Sequence, residues 1–100
     1  MDRTSIDILV TELYLGKPCA QRYYLRHVLL FLSDHPQYLD GTATDLCKAM
    51  RGFMPSYYGQ NVRHRHIYEV LRQCDRCLTA QGIVPGGTME MLRTLMDRLT

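Results

Sequence analysis

The chain has no tryptophan, only two phenylalanines and four prolines, and few lysines beside its arginines. Its longest apolar run covers residues 28–32, far short of the roughly 20 residues that a membrane-spanning helix needs. Residues 1–4 contain no basic lead into an apolar stretch, so we expect no signal peptide. These features predict a soluble cytoplasmic protein without membrane contact, whose four cysteines are reduced thiols.

The motifs of the common catalytic sites are also missing. The sequence contains no phosphate-binding glycine loop, no nucleophile elbow and no paired-histidine zinc motif. Cys74 and Cys77 have CxxC spacing, and Cys19 and Cys47 are the remaining thiols. A structural zinc site commonly takes two such pairs from tight turns, whereas this single pair falls inside a helical pattern. We therefore expect neither an enzyme nor a bound metal or cofactor, and we expect Cys74 to be a small buried apolar residue.

The positive charge lies in one segment of the chain. Residues 51–76 hold five arginines against Glu69 and Asp75, a net charge of +3, whereas residues 1–50 carry −1 and residues 77–100 are neutral. Arginine suits phosphates, carboxylates and guanine edges because its planar guanidinium donates two parallel hydrogen bonds. The concentration of arginine predicts an acidic partner, either double-stranded DNA or an acidic protein surface.

Hydrophobic spacing predicts a single domain over residues 1–100, formed by a compact all-α bundle of about five helices. Thr4 or Ser5 is the expected cap of the first helix, Pro18 suits the first turn of the second, and Thr42 begins the third. A fourth helix is expected over about residues 60–81, ending at Gly82. Residues 83–84 form at most a short β segment, and a fifth, methionine-rich helix follows Thr88.

Residues 42–84 contain a short capped helix, a loop, and a longer basic helix followed by Gly82, Ile83 and Val84. This arrangement resembles the helix-turn-helix core of winged-helix DNA-binding regulators. The resemblance implies a small non-catalytic transcriptional regulator whose fourth helix contacts DNA. The loop over residues 53–59 is longer than the turn of that motif, and no β-hairpin wing follows residue 84. The residues expected to face base edges in the major groove are those at the start of the fourth helix: Gln60, Asn61, Arg63, His64 and Arg65. Arg72 and Arg76 lie further along the helix and are expected to contact phosphates.

A second interpretation is a protein-protein interaction adaptor or inhibitor, as phages and mobile elements encode, that masks a partner protein. Its contact residues would be Phe53, Tyr57 and Tyr58, because tyrosine and other aromatic residues are common at interface centres. The same side chains could instead close the core of the domain, and the arginines near residue 64 could simply be a solvated helix start. The amphipathic last helix also predicts a homodimer in which it packs on a second copy.

Overall fold

All regular structure in the computed structural model is helical within the residues that it describes, which are 3–14, 19–54 and 63–99. The prediction of an all-α bundle of five helices is confirmed, and residues 83–84 form a bend without β structure. No helix among these residues combines the length and the apolar character that crossing a membrane would require. The elements are α1 (Arg3–Leu13), α2 (Ala20–Asp34), a 3-10 helix (Pro36–Asp40), α3 (Ala43–Met50), α4 (His64–Ala80) and α5 (Thr88–Leu99).

Helix α2 is the central element, as its broadly apolar sequence predicts. It contacts α1, α4, α5 and the 3-10 helix. Leu25, Val28, Leu29 and Leu32 lie on one face of the helix and have no exposed surface. The buried Tyr24 and Phe31 extend this face to about 160° of the helix circumference. The helix ends at Asp34, and His35 is its C-cap. His35 precedes Pro36, and a residue before proline is disfavoured in the helical conformation.

The helix starts depart from the predictions in two places. Helix α1 includes residue 3, so Thr4 and Ser5 lie inside the helix and neither is its cap. Cys19, in extended conformation, is the N-cap of α2 and its sulfur accepts the Arg22 backbone N–H at 3.4 Å. Pro18 lies outside the described residues. The caps were misplaced because several neighbouring polar residues could each have served.

The end of α4 follows the sequence prediction closely. Gly82 has a φ of +72°, a left-handed conformation that glycine adopts without strain. Its N–H binds the Thr79 carbonyl, and the Ile83 N–H binds the Leu78 carbonyl. This pair of hydrogen bonds is the Schellman arrangement, which satisfies carbonyl groups at a helix C-terminus.

Helix α4 is fixed in the bundle by its apolar face and by a polar contact near its end. It packs on α2, α3 and α5. The Asp75 carboxylate accepts the Gly87 N–H at 3.0 Å and the Thr79 hydroxyl at 3.1 Å, which ties the turn before α5 to α4. The buried face consists of Ile67, Val70, Leu71, Cys74 and Leu78, which recur at the spacing of one helical face.

Candidate nucleic-acid interface

Three of the predicted contact residues, Arg65, Arg72 and Arg76, form a line along the exposed side of α4. A helix advances about 100° and 1.5 Å per residue, so these three positions lie within about 40° of one another and span about 16 Å. Their side chains are exposed, and the buried face containing Ile67 and Leu78 lies roughly opposite. We call these three residues the arginine row.

No carboxylate among residues 3–14, 19–54 and 63–99 forms an ion pair with any member of the row. Elsewhere in the same residues the two ion pairs join Arg26 to Asp7 and Arg93 to Glu90. The arginines of α4 therefore keep their charge available, and an external anion would not have to displace an internal partner.

Arg72 is held in place without being neutralised. Its guanidinium carbon lies 5.9 Å from the centre of the Tyr68 ring, one turn earlier on α4. A cation over an aromatic face is attracted to the ring, and the full positive charge remains. Tyr68 was not among the predicted site residues, although its spacing of four from Arg72 places the two on neighbouring turns.

Glu69 lies beside the row and reduces its net charge. Its position on α4 is about 40° from that of Arg65 and about 20° from that of Arg76, and it is exposed. It forms no ion pair with either arginine among the described residues. The row and Glu69 together carry a net charge of +2.

The amino-terminal end of α4 differs from the prediction. The helix begins at His64, and Arg63 is its N-cap, with an extended backbone and no capping hydrogen bond from its side chain. Gln60 and Asn61 precede the start of this helix and lie outside the described residues. Arg63 is exposed, so its charge adds to the positive end of the helix dipole.

The two histidines at the start of α4 do not belong to the arginine row. His64 is half-buried and lies about 100° around the helix from Arg65. The exposed His66 ring lies 5.4 Å from that of Tyr24 on α2, between ring centres, and Tyr24 is buried. His66 therefore covers the core at this point, while His64 lies between the row and the buried face.

Phe53, predicted to contact a partner protein, belongs to a group of rings from three parts of the chain. Its ring centre lies 5.3 Å from that of Phe31 on α2, and Phe31 lies 5.4 Å from Tyr38 of the 3-10 helix and 4.5 Å from His35. Phe31 is buried, whereas Phe53 is 41% exposed. Phe53 thus both covers the core and presents an aromatic edge to solvent. Tyr57 and Tyr58 lie outside the described residues.

Two of the four thiols are buried in the apolar core. Cys47 and Cys74 have no exposed surface, and burial raises the pKa of each to about 12. The Cys74 thiol donates to the Gln21 carbonyl at 3.7 Å. No group of three potential metal ligands occurs among the described residues. The prediction that Cys74 is a buried apolar residue is confirmed.

Neither protein-family models nor curated proteins nor solved structures give a match to this chain. Any functional conclusion therefore depends on the surface of the molecule itself.

Proposed function

We propose that this protein is a small, non-catalytic DNA-binding regulator that uses α4 as its contact element. The observation that carries the proposal is the arginine row, which presents three exposed cations along one side of a well-anchored helix. None of the three forms an ion pair with another residue in the described part of the chain. Phosphate contacts by arginine provide much of the affinity of proteins for DNA. Arg63, at the N-cap, adds a fourth cation at the end of the helix where the dipole also favours anions.

The test is a titration of a fluorescently labelled DNA duplex, measured by anisotropy at several salt concentrations. Four phosphate contacts would give a slope of about −3.6 in a plot of log affinity against log salt. Arg65→Gln should weaken binding severalfold and make the slope less negative by about 0.9.

Arg3→Gln is the matched control, because Arg3 is exposed on α1 and its loss changes the net charge equally. It should leave the slope unchanged. Absence of binding to any duplex at low salt, with the protein folded by circular dichroism, would eliminate the proposal.

The exposed edge of Phe53 supports a second candidate, an adaptor that masks another protein. Phe53 and Ile8 are the large apolar side chains exposed in the described part of the chain, and only Phe53 lies in a group of aromatic rings. Under this alternative a defined partner would co-purify with the wild type and be lost with Phe53→Ser. Ile8→Ser is the control and should retain the partner. Equal retention by both variants would exclude this use of Phe53.

A further inference from the structure

We infer that the arginine row contacts the phosphates of a single DNA strand and does not contact base edges; this inference rests on the proposed DNA-binding function. It differs from the sequence-based expectation for Arg65, which grouped that residue with the base-contacting set. The alignment of Arg65 with Arg72 and Arg76 along the helix is the reason for the change, since the latter two were already expected to meet phosphates.

A helix that lies in the major groove directs its centre at the base edges and its two flanks at the two strands. If the row were that centre, further cations would be needed on both flanks of α4. One flank instead carries Asp75, Tyr68 and Thr79, and the other carries Ala80, Gln73 and His66. Neither flank contains a lysine or an arginine, so α4 can match one line of phosphates but not two.

The length of the row fits a single strand. One strand of B-form DNA carries a phosphate about every 3.4 Å along the axis, and the row extends about 16 Å. Because the strand also winds around that axis, successive phosphates are on the order of 7 Å apart along the strand itself. A row of this length can therefore face about three phosphates of one strand, one for each of its three guanidinium groups. The cation-π contact of Arg72 with Tyr68 restrains one of the three without removing its charge.

Glu69 distinguishes phosphate contact from base contact. Beside a line of phosphates its carboxylate is repelled by every duplex, whatever the sequence. In a groove the same carboxylate could accept a hydrogen bond from the amino group of cytosine, which would favour duplexes that contain G·C pairs. The effect of removing its charge therefore has opposite signs in the two arrangements.

The experiment measures the affinities of three duplexes of equal length, one with only A·T pairs, one with only G·C pairs and one mixed, over a salt series. Arg65→Gln, Arg72→Gln and Arg76→Gln should each weaken binding to all three duplexes by the same factor and make the salt slope less negative by about 0.9. Glu69→Gln should tighten binding to all three by a common factor of severalfold. Arg3→Gln serves again as the charge-matched control.

Two results would overturn the inference and leave DNA binding in place. One is a row variant that changes the ratio of affinities for the A·T and G·C duplexes by about tenfold, the size of one lost base contact. The other is a Glu69→Gln protein that loses affinity for the G·C duplex alone. Failure of the wild type to bind any of the duplexes at low salt would instead remove the proposed function as well. Thermal unfolding of every variant verifies that the compared proteins are folded.

Discussion

At the level of single residues, burial keeps the thiols of Cys47 and Cys74 protonated in alkaline solution. Cys47 on α3 and Cys74 on α4 both lie in the hydrophobic core, and a thiolate there would lose its hydration without gaining a cation. Burial consequently raises the pKa of both thiols from the usual 9.0 to about 12. Burial likewise raises the pKa of the Tyr14 hydroxyl, which donates to the Gln21 side chain at 3.1 Å.

These shifts predict a loss of stability in alkaline solution. The unfolded chain releases the two thiol protons near pH 9 and the folded chain only near pH 12. The stabilisation is therefore complete below pH 9 and is lost as the pH rises towards 12. Each thiol should lower the free energy of unfolding by about 1.4 kcal/mol per pH unit within this window.

Urea denaturation over that pH range, with a reductant present, measures the slope. Cys47→Ala should remove one thiol's share of the slope, although the cavity lowers stability at every pH. The exposed Cys19 supplies the control, and Cys19→Ala should retain the wild-type slope. An unchanged slope in the Cys47→Ala protein would contradict the assignment to buried thiols.

At the scale of elements, the buried face of α4 was predictable but its beginning was not. Ile67, Leu71 and Leu78 recur at the helical period, and such spacing identifies a buried face from the sequence alone. Gly82 likewise identified the end, because few residues other than glycine adopt its backbone conformation readily. The start at His64 had no comparable marker, since Arg63 is not one of the residues that favour an N-cap.

The candidate site was predictable to the extent that it depends on one helix. The exposure of Arg65, Arg72 and Arg76 follows from the same periodicity that buries Ile67. The group of rings around Phe53 was not predictable, because Phe31, Tyr38 and Phe53 meet only when α2, the 3-10 helix and the end of α3 are assembled. Hydrophobic periodicity identifies the buried face of each helix, but it does not tell which residues of different elements contact one another.

The N-cap of α4 provides a prediction in which stability and binding move in opposite directions. Arg63 makes no capping hydrogen bond, and its charge lies at the positive end of the helix dipole. Arg63→Ser supplies a capping hydroxyl and removes that charge. The free energy of unfolding should rise by about 1 kcal/mol, while the affinity for DNA should fall severalfold through the loss of a cation.

Arg63→Gln separates the two effects, because it removes the charge without supplying a favoured cap. It should lose as much DNA affinity as Arg63→Ser and gain less stability. Urea denaturation and anisotropy titration measure both quantities on the same preparations. Undiminished DNA affinity in both variants would show that Arg63 takes no part in binding.

At the level of the whole molecule, the apolar face of α5 packs against other helices of the same chain. The sequence-based expectation gave that face to a second copy. Met91, Leu92, Leu95 and Met96 are instead buried among the other elements of the same chain, and α5 contacts α1, α2, α4 and the 3-10 helix. The homodimer itself stays a prediction, but the face that motivated it is already covered.

Few large apolar side chains remain for an association of two copies. Among the described residues only Ile8 and Phe53 are large, apolar and exposed, whereas stable interfaces bury about 800 Å² on each partner with an apolar centre. The predicted homodimer would therefore have to form through a surface other than the buried face of α5. The radius of gyration of one copy should be close to the 12.4 Å of the Cα trace, plus the contribution of side chains and hydration, as expected for one domain of this length.

Sedimentation velocity over a range of concentrations measures the mass, and the monomer corresponds to 11.6 kDa. A mass twice that value, independent of concentration, would show that a dimer forms through a surface other than the buried face of α5. Ile8→Ser and Phe53→Ser would then identify which exposed side chain takes part, because only the variant at the interface would return to monomer. A monomeric protein would bind DNA as one α4 per site, and its affinity would then depend on the single row of arginines that this helix presents.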